Sequence, residues 1–306
     1  MKETPEIEIL KLVAYFDVFD YPLKQAEVNQ FLLLTPEDIS EQIKNLKDKK
    51  VLLVHADYIG IGDLESKVKR REEGNNKALG LATKASKNAR LISKFPFVRG
   101  VLISGSYSKG FVGEDGDIDY FIVTKPGRLW IARTSLVLYK KLFLLNSHEY
   151  FCVNYFVDEE HLEIEEKNIF TATELITLLP MVNEELYQQL MNKNNWVREY
   201  YPSLFHEDPT IDDQHRSTFQ KVSEKPLSGR IGNKLDNYLM RLTLKKWQKK
   251  FGFLSHDDFE VAMKTSTNVS KHHPNNFQRK VLEKHQEILN TLIKKLEEKS
   301  HVKTAV

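Results

Sequence analysis

Residues 101–123, VLISGSYSKGFVGEDGDIDYFIV, decide how this chain folds, because two apolar runs flank a short, polar, glycine-bearing segment. Each apolar run has the length and composition of a buried strand. A Gly-Ser pair stands at 105–106, where the first strand ends, and an Asp-Ile-Asp triplet stands at 117–119, where the second begins. The stretch therefore predicts two strands whose polar ends lie near one another.

Asp117 and Asp119 are expected to share one face of the second strand, because residues i and i+2 of a strand point the same way. Two carboxylates this close raise each other's pKa unless a cation shares them. Mg²⁺ prefers oxygen ligands and suits that role. The pair therefore predicts a site for a divalent metal ion.

The Gly-Ser pair predicts a second, complementary function. Gly105 lets the backbone approach a ligand closely, because it has no side chain. A helix that begins near Ser106 would offer free N–H groups to an anion such as phosphate. The loop and the carboxylate pair together describe a site for a metal–nucleotide complex.

This combination of strand, Gly-Ser pair, ten-residue spacer, Asp-x-Asp triplet and second strand resembles the signature of the polymerase-β nucleotidyltransferase superfamily. The resemblance spans roughly residues 96–160. It implies that Asp117 and Asp119 are catalytic and bind Mg²⁺ or Mn²⁺. It also implies four nucleotide-binding residues: Gly105, Ser106, Ser108 and Lys109.

The resemblance further implies a reaction. An NMP would move from a metal-bound NTP, such as ATP, to an acceptor hydroxyl, and pyrophosphate would leave. The superfamily is compatible with RNA, a nucleotide, a protein or a small molecule as acceptor, and the basic last third of the chain slightly favours a nucleic acid or a nucleotide.

One position departs from the superfamily pattern. A third carboxylate usually lies near the start of the next strand, which we predict at 150–157, but Asn154 occupies the aligned position. The nearest acids are Glu149 before the strand and Asp158 after it, so Asn154 and Asp158 are our candidate third metal-site positions. Three interpretations of this departure stay open. The enzyme could catalyse weakly, or another residue could supply the base. Alternatively, the protein is a nucleotide-sensing regulator that binds DNA or a protein.

The chain of 306 residues is long enough for several domains. We predict an α+β protein in which a mixed nucleotidyltransferase sheet is flanked by helices. The predicted segments are a winged-helix-like domain (1–63), a connector and helix (64–95), the nucleotidyltransferase domain with following helices (96–204), a linker (205–228), and a basic helical C-terminal region (229–306).

The first segment resembles a winged helix-turn-helix, because three short helical patterns precede a hairpin over 51–61. The candidate recognition helix, 37–49, carries lysines but no arginine for bidentate contacts to guanine. That composition favours a packing or protein-contact role over sequence-specific DNA reading. The charged run at 64–74 is expected to be a solvated helical face.

Helical spacing elsewhere predicts six further helices. They cover 76–94, 128–145, 171–201 with an interruption at Pro180, 229–251, a short helix from His256, and 276–298. Residues 205–228 show little periodicity, which is why we interpret them as a linker.

Composition and charge limit the class of protein. Net charge is +2, but residues 96–209 carry −7 and residues 210–306 carry +8. The basic last third could contact nucleic acid, or it could be a solvated surface rich in lysine.

The first ten residues, MKETPEIEIL, lack the basic and apolar regions of a signal peptide. No run approaches the roughly 18 apolar residues of a membrane span. The single cysteine, Cys152, excludes an intrachain disulfide and is expected to be a small buried residue. We therefore expect a cytoplasmic protein with no membrane partner.

Overall fold

A computed structural model describes residues 4–143, 150–202, 217–272 and 277–302. The α-helices of these residues are α1 (Pro5–Asp17), α2 (Gln25–Phe31), α3 (Pro36–Asp48), α4 (Leu64–Ser93), α5 (Gly105–Ser108), α6 (Leu129–Phe143), α7 (Ile169–Ile176), α8 (Glu184–Lys193), α9 (Thr218–Glu224), α10 (Arg230–Lys250), α11 (His256–Ala262) and α12 (Phe277–Val302). The strands are β1 (Leu23–Lys24), β2 (Leu53–His55), β3 (Tyr58–Gly60), β4 (Val98–Ser104), β5 (Asp119–Thr124), β6 (Cys152–Asp158), β7 (Leu179–Val182) and β8 (Val269–Lys271).

The N-terminal part contains the three predicted helices and the predicted hairpin. Helix α3 begins where its sequence indicates, because the Thr35 hydroxyl accepts a hydrogen bond from the Asp38 N–H. Strands β2 and β3 form the hairpin, and the short strand β1, which was not predicted, pairs with β3 to give the order β1-β3-β2. The winged-helix assignment itself stays a prediction.

A five-stranded mixed sheet forms the centre of the molecule, in the order β7-β4-β5-β6-β8. Strands β5 and β6 are parallel, and the other neighbours are antiparallel. The α+β class with a mixed central sheet is therefore confirmed. Helices α6, α10, α11 and α12 also lie close to their predicted positions.

The helix predicted over 171–201 is wrong in its middle. Helices α7 and α8 are separated by β7, which contains Pro180 and pairs with β4 at the edge of the sheet. An edge strand tolerates proline, because the missing N–H can face away from the ladder. Helix α7 also begins earlier than predicted, since Asn168 accepts a hydrogen bond from the Thr171 N–H and caps it.

The connector is not only a solvated face. Helix α4 runs unbroken through it, and Arg71 within the charged run is 3% exposed. The Arg71 guanidinium forms an ion pair with Glu27 and stacks over the ring of Tyr21. Periodicity could not reveal this burial, because the side chain is buried by an ion pair with another element.

The predicted linker lies partly outside the described residues, at 203–216. Its described end is helix α9 followed by a 3-10 turn, and Gln220 and Glu224 are buried there. The Gln220 amide donates to the carbonyls of Ser93, Phe95 and Val98. Polar side chains attach this segment to the sheet, which explains why it shows no apolar periodicity.

Two hydrophobic cores cover the two faces of the sheet. The first joins α1, α2, α3, α7, α8 and α12 to the sheet face that carries Leu102 and Phe121. The second joins α4, α6 and α10 to the opposite face, which carries Ile103 and Tyr120. The first core therefore continues from the N-terminal helices to the face that holds the candidate site.

Two smaller expectations concern Cys152 and membrane spans. Cys152 is buried, as predicted. Among the described helices, we find none that combines the length and the apolar character required to cross a membrane.

Candidate functional site

The turn at Gly105 lies directly against Asp119. Strands β4 and β5 pair so that Ser104 is opposite Asp119, and Gly105 follows with a φ of +71°. A Cβ atom at Gly105 would overlap the Oδ2 atom of Asp119. Glycine is thus required here both for the left-handed backbone and for the close approach of the carboxylate.

Asp117 and Asp119 lie together, as the sequence predicts. Their carboxylates and the Cys152 sulfur offer ligand atoms that all lie within 4.8 Å of one another. Burial, followed by the neighbouring charge of Asp117, raises the pKa of Asp119 to about 7. A cation would relieve this repulsion, so the two carboxylates fit a hard divalent ion. Burial also raises the pKa of the Cys152 thiol, and a neutral thiol is a poor ligand for such an ion.

Asn154 lies beside the pair, but its amide acts as a donor. Its Nδ2 lies 3.1 Å from Asp119 Oδ1 and 2.9 Å from Cys152 Sγ. A carboxylate at this position would add negative charge, whereas the amide holds Asp119 in place and compensates part of its charge. Asn154 is therefore in the site as a positioning residue.

Asp158 does not lie in the site. It pairs with Thr124 at the opposite end of β5 and β6, while Asp119 pairs with Cys152. Five strand residues separate the two ends, which corresponds to roughly 17 Å. The Asp158 carboxylate is buried there, 2.7 Å from the ring of His161. Asp158 is therefore not a third metal-site position, and Glu149 lies outside the described residues.

Glu174 is an acid of the site that the sequence did not reveal. It comes from α7, and its carboxylate accepts hydrogen bonds from the Gly105 N–H at 3.2 Å and from Lys109 Nζ at 2.8 Å. Its charge also contributes to the raised pKa of Asp119. The sequence places Glu174 about 55 residues after Asp119 in a helix, and no spacing rule connects the two positions.

The four predicted nucleotide-binding residues fall into two groups. Gly105 and Ser106 line the cavity of the site. Ser108 and Lys109 face the turn itself, since the Ser108 hydroxyl and the Lys109 ammonium donate to the Gly105 carbonyl at 2.8 and 3.0 Å. Ser108 and Lys109 therefore stabilise the turn in the structure described.

A cavity of about 570 Å³ extends from the two aspartates along the first core's face of the sheet toward β8 and α12. Its volume suits a nucleotide or another small ligand. The walls beyond the aspartates are mainly aromatic and apolar, with one lysine: Phe121, Tyr155, Phe170, Leu178, Lys271 and Phe277.

A family model described as a nucleotidyltransferase domain matches residues 87–197. The match includes the Gly105 turn, both aspartates, Asn154 and Glu174, and it supports a member of the nucleotidyltransferase superfamily. Strand β8 and helix α12, which close the far end of the cavity, lie beyond it. No curated protein and no solved structure gave a match to this chain.

Proposed function

We propose that this protein is a nucleotidyltransferase that moves an NMP from an NTP to an acceptor hydroxyl, with release of pyrophosphate. The observation that carries the proposal is the pair Asp117 and Asp119 beside the Gly105 turn, where both line a cavity of about 570 Å³. Repulsion between the two carboxylates and the match to a nucleotidyltransferase domain support the same conclusion.

In this proposal Asp117 and Asp119 hold Mg²⁺ or Mn²⁺. When bound, the cation supplies charge neutralisation for the triphosphate and for the departing pyrophosphate. The backbone at Gly105 and the Ser106 hydroxyl hold phosphate oxygens and fix the α-phosphorus for in-line attack. The bond from the acceptor oxygen to the α-phosphorus forms as the bond to the β-phosphate oxygen breaks.

The acceptor hydroxyl must also lose its proton. The Asn154 amide cannot accept a proton at neutral pH. Glu174 is the remaining carboxylate among the described cavity-lining residues. Glu174 lines the same cavity as the two aspartates, so we assign its carboxylate as the group that receives the proton.

Labelled substrate tests the proposal. Each α-labelled NTP is incubated with the protein and Mg²⁺ or Mn²⁺, alone and with RNA, nucleotides or lysate. We expect label transfer by the wild type and none by the double variant Asp117→Asn/Asp119→Asn. The matched control is Glu114→Gln/Asp115→Asn, which removes the same two negative charges from exposed positions of the same loop. Equal transfer by the wild type and by Asp117→Asn/Asp119→Asn would refute the site assignment.

A second candidate is a regulator that senses a nucleotide without turnover. Asn154 favours it, because the third position of the site offers a donor to Asp119 instead of a third carboxylate. In this case the winged-helix-like domain would bind DNA or a protein, and Lys44 and Lys47 are exposed on α3 for such a contact. Binding of Mg²⁺–NTP by the wild type without any label transfer would favour the regulator.

We also propose that the basic C-terminal region contacts nucleic acid. Helix α10 exposes four lysines near its C-terminal end: Lys245, Lys246, Lys249 and Lys250. Such a cluster attracts polyanions in a salt-dependent way. If RNA is the acceptor, its label transfer should fall steeply between low and physiological salt.

A further inference from the structure

We propose that Lys271 is the recognition group for an anionic second ligand: a small organic molecule with a carboxylate or phosphate group that binds at the far end of the cavity. The inference rests on the proposed function, because it identifies this molecule as the acceptor of the NMP.

Strand pairing places Lys271 on the same face of the sheet as the aspartates. Lys271 on β8 is opposite Tyr155 on β6, and Tyr155 is opposite Phe121 on β5. Phe121 is two residues from Asp119, so both point to one face. Strand spacing and rise put the backbones of Lys271 and Asp119 roughly 12 Å apart. Both side chains line the same cavity.

The ammonium group of Lys271 is buried, and the described residues offer it no charged partner. The residue is 9% exposed, and its Nζ donates to the Gln278 amide oxygen at 3.1 Å. Within the described ranges, no carboxylate lies at ion-pair distance from this Nζ; Glu166 and Glu174 act on it only from farther away. Burial therefore lowers the pKa of Lys271.

A neighbouring lysine provides the contrast. Lys264, which precedes β8, contacts Glu165 at 2.7 Å and Glu166 at 3.3 Å. Its charge is thus compensated within the protein. Lys271 has three N–H donors, and the contacts to them from the described residues are the Gln278 amide oxygen and the ring of Tyr155, 5.9 Å away. A buried charge of this kind is costly. An anionic ligand in the cavity would provide the missing partner.

The cavity walls limit what that ligand can be. Tyr155, Phe170 and Phe277 give the region near Lys271 an aromatic lining. Such a lining suits an apolar or aromatic body and disfavours a triphosphate, which needs several cationic or N–H partners. The triphosphate is assigned to the Gly105 turn at the other end. A neutral nucleobase would compensate a buried ammonium less well than an anion does.

Binding of simple aromatic anions tests the inference. The probes are phenyl phosphate and benzoate, with benzyl alcohol as the neutral probe, and the readout is calorimetric affinity in the full chain. We expect at least one of the two anions to bind the wild type. Tighter binding of phenyl phosphate indicates a phosphate ligand, and tighter binding of benzoate indicates a carboxylate ligand. Lys271→Met should weaken the binding anion by about tenfold or more. Benzyl alcohol should not respond to this substitution.

Three further variants make the experiment specific. Lys271→Arg keeps the charge and should retain most of the anion affinity. Lys280→Met removes an exposed lysine of α12 and should leave the affinity unchanged, which excludes a general charge effect. Asp117→Asn/Asp119→Asn should still bind the anion, because that binding is independent of the metal site. A cooperative urea-unfolding transition in Lys271→Met would show that the variant folds.

The outcomes separate this inference from the proposed function. The inference is overturned if neither anion binds the wild type, or if Lys271→Met binds them as tightly, whatever the label-transfer assay shows. Anion binding through Lys271 in a protein that never transfers label would support the ligand site and refute the transferase.

Discussion

Gly105 is the residue on which the geometry of the site depends, because its missing side chain leaves room for Asp119. Gly105→Ala should displace the carboxylate and strain a backbone with a φ of +71°. We expect a loss of about 1–3 kcal/mol in the free energy of unfolding and at least a tenfold loss of Mg²⁺–ATP affinity. Urea unfolding and calorimetric titration measure the two effects.

Gly127→Ala is the matched control for that prediction. Gly127 also has a left-handed backbone, with a φ of +66°, but an added Cβ would have no neighbour within 4 Å. Its substitution should cost about 1 kcal/mol of stability and leave nucleotide affinity intact. Equal losses of affinity in both variants would contradict the close-approach argument.

The raised pKa of Asp119 gives stability a defined pH dependence in the absence of metal. The folded-state pKa is about 7 against an ordinary value of 3.8, so the folded protein keeps a proton that the unfolded chain releases. The contribution of Asp119 to the free energy of unfolding is fully present below pH 3.8 and is lost as the pH rises through 7. Asp119→Asn should therefore be more stable than the wild type at pH 8, on the order of 2 kcal/mol.

Urea unfolding of both proteins between pH 5 and pH 8 measures this effect. The stability difference should widen up to about pH 7 and then level off. Mg²⁺ should stabilise the wild type at pH 8 and should stabilise Asp119→Asn less. A difference that does not change with pH would mean that Asp119 titrates normally.

At this scale the sequence predicted the residues that two adjacent strands bring together. The β4–β5 pairing brings Gly105 next to Asp119, and Asp117 precedes Asp119 by two residues, so the spacing along the sequence predicted that these residues lie close together. Glu174 and Lys271 arrive from α7 and β8, and only tertiary packing decides where those elements lie. The prediction for Asp158 was wrong because Asp158 lies at the end of β6, whereas the site lies at the start of that strand.

Among the elements, α9 is held to the sheet by a buried ion pair. Glu224 accepts from both terminal nitrogens of Arg99 at 2.9 and 2.8 Å and from the Phe97 N–H at 2.6 Å. Glu224→Ala would leave a buried guanidinium and a buried N–H without this acceptor. We expect a loss of about 3 kcal/mol in the free energy of unfolding.

The comparison for that variant is Glu163→Ala. Glu163 forms an exposed ion pair with Lys167, and both side chains are about half exposed. Its loss should leave the free energy of unfolding close to that of the wild type in the same urea unfolding experiment, because solvent screens an exposed ion pair. Similar costs for the two variants would show that α9 contributes little to the stability of the sheet.

Elements were predictable where apolar residues recur at a regular period. Helices α6 and α12 bury residues at helical spacing, α10 packs partly buried residues such as Leu235 and Leu239 against the second core, and strands β4 and β5 contain continuous apolar runs. Strand β7 is an apolar run of four residues that contains a proline, and β8 has three residues, so both are too short to show a period. Pro180 indicated that the helix is interrupted. The interrupting segment is a strand because it pairs with β4, and this pairing is a tertiary contact that the local sequence does not reveal.

For the whole molecule, the first core joins segments that the sequence analysis treated as separate domains. Leu10 of α1, Phe121 of β5 and Leu292 of α12 belong to the same cluster of buried side chains. The N-terminal helices, the central sheet and the C-terminal helix should therefore unfold together. We expect a single cooperative transition in calorimetry, with a midpoint that Mg²⁺–ATP raises.

Leu10→Ala tests this coupling at a distance from the site. Leu10 is fully buried, so the truncation should cost about 2–5 kcal/mol. If the molecule is one cooperative unit, hydrogen exchange of the β5 amides should accelerate by the same free energy, although β5 lies in the sheet. Leu33→Ala, at a residue that is 69% exposed, should leave β5 exchange unchanged. Two separate transitions, with β5 protected as in the wild type, would show that the N-terminal helices fold independently of the site.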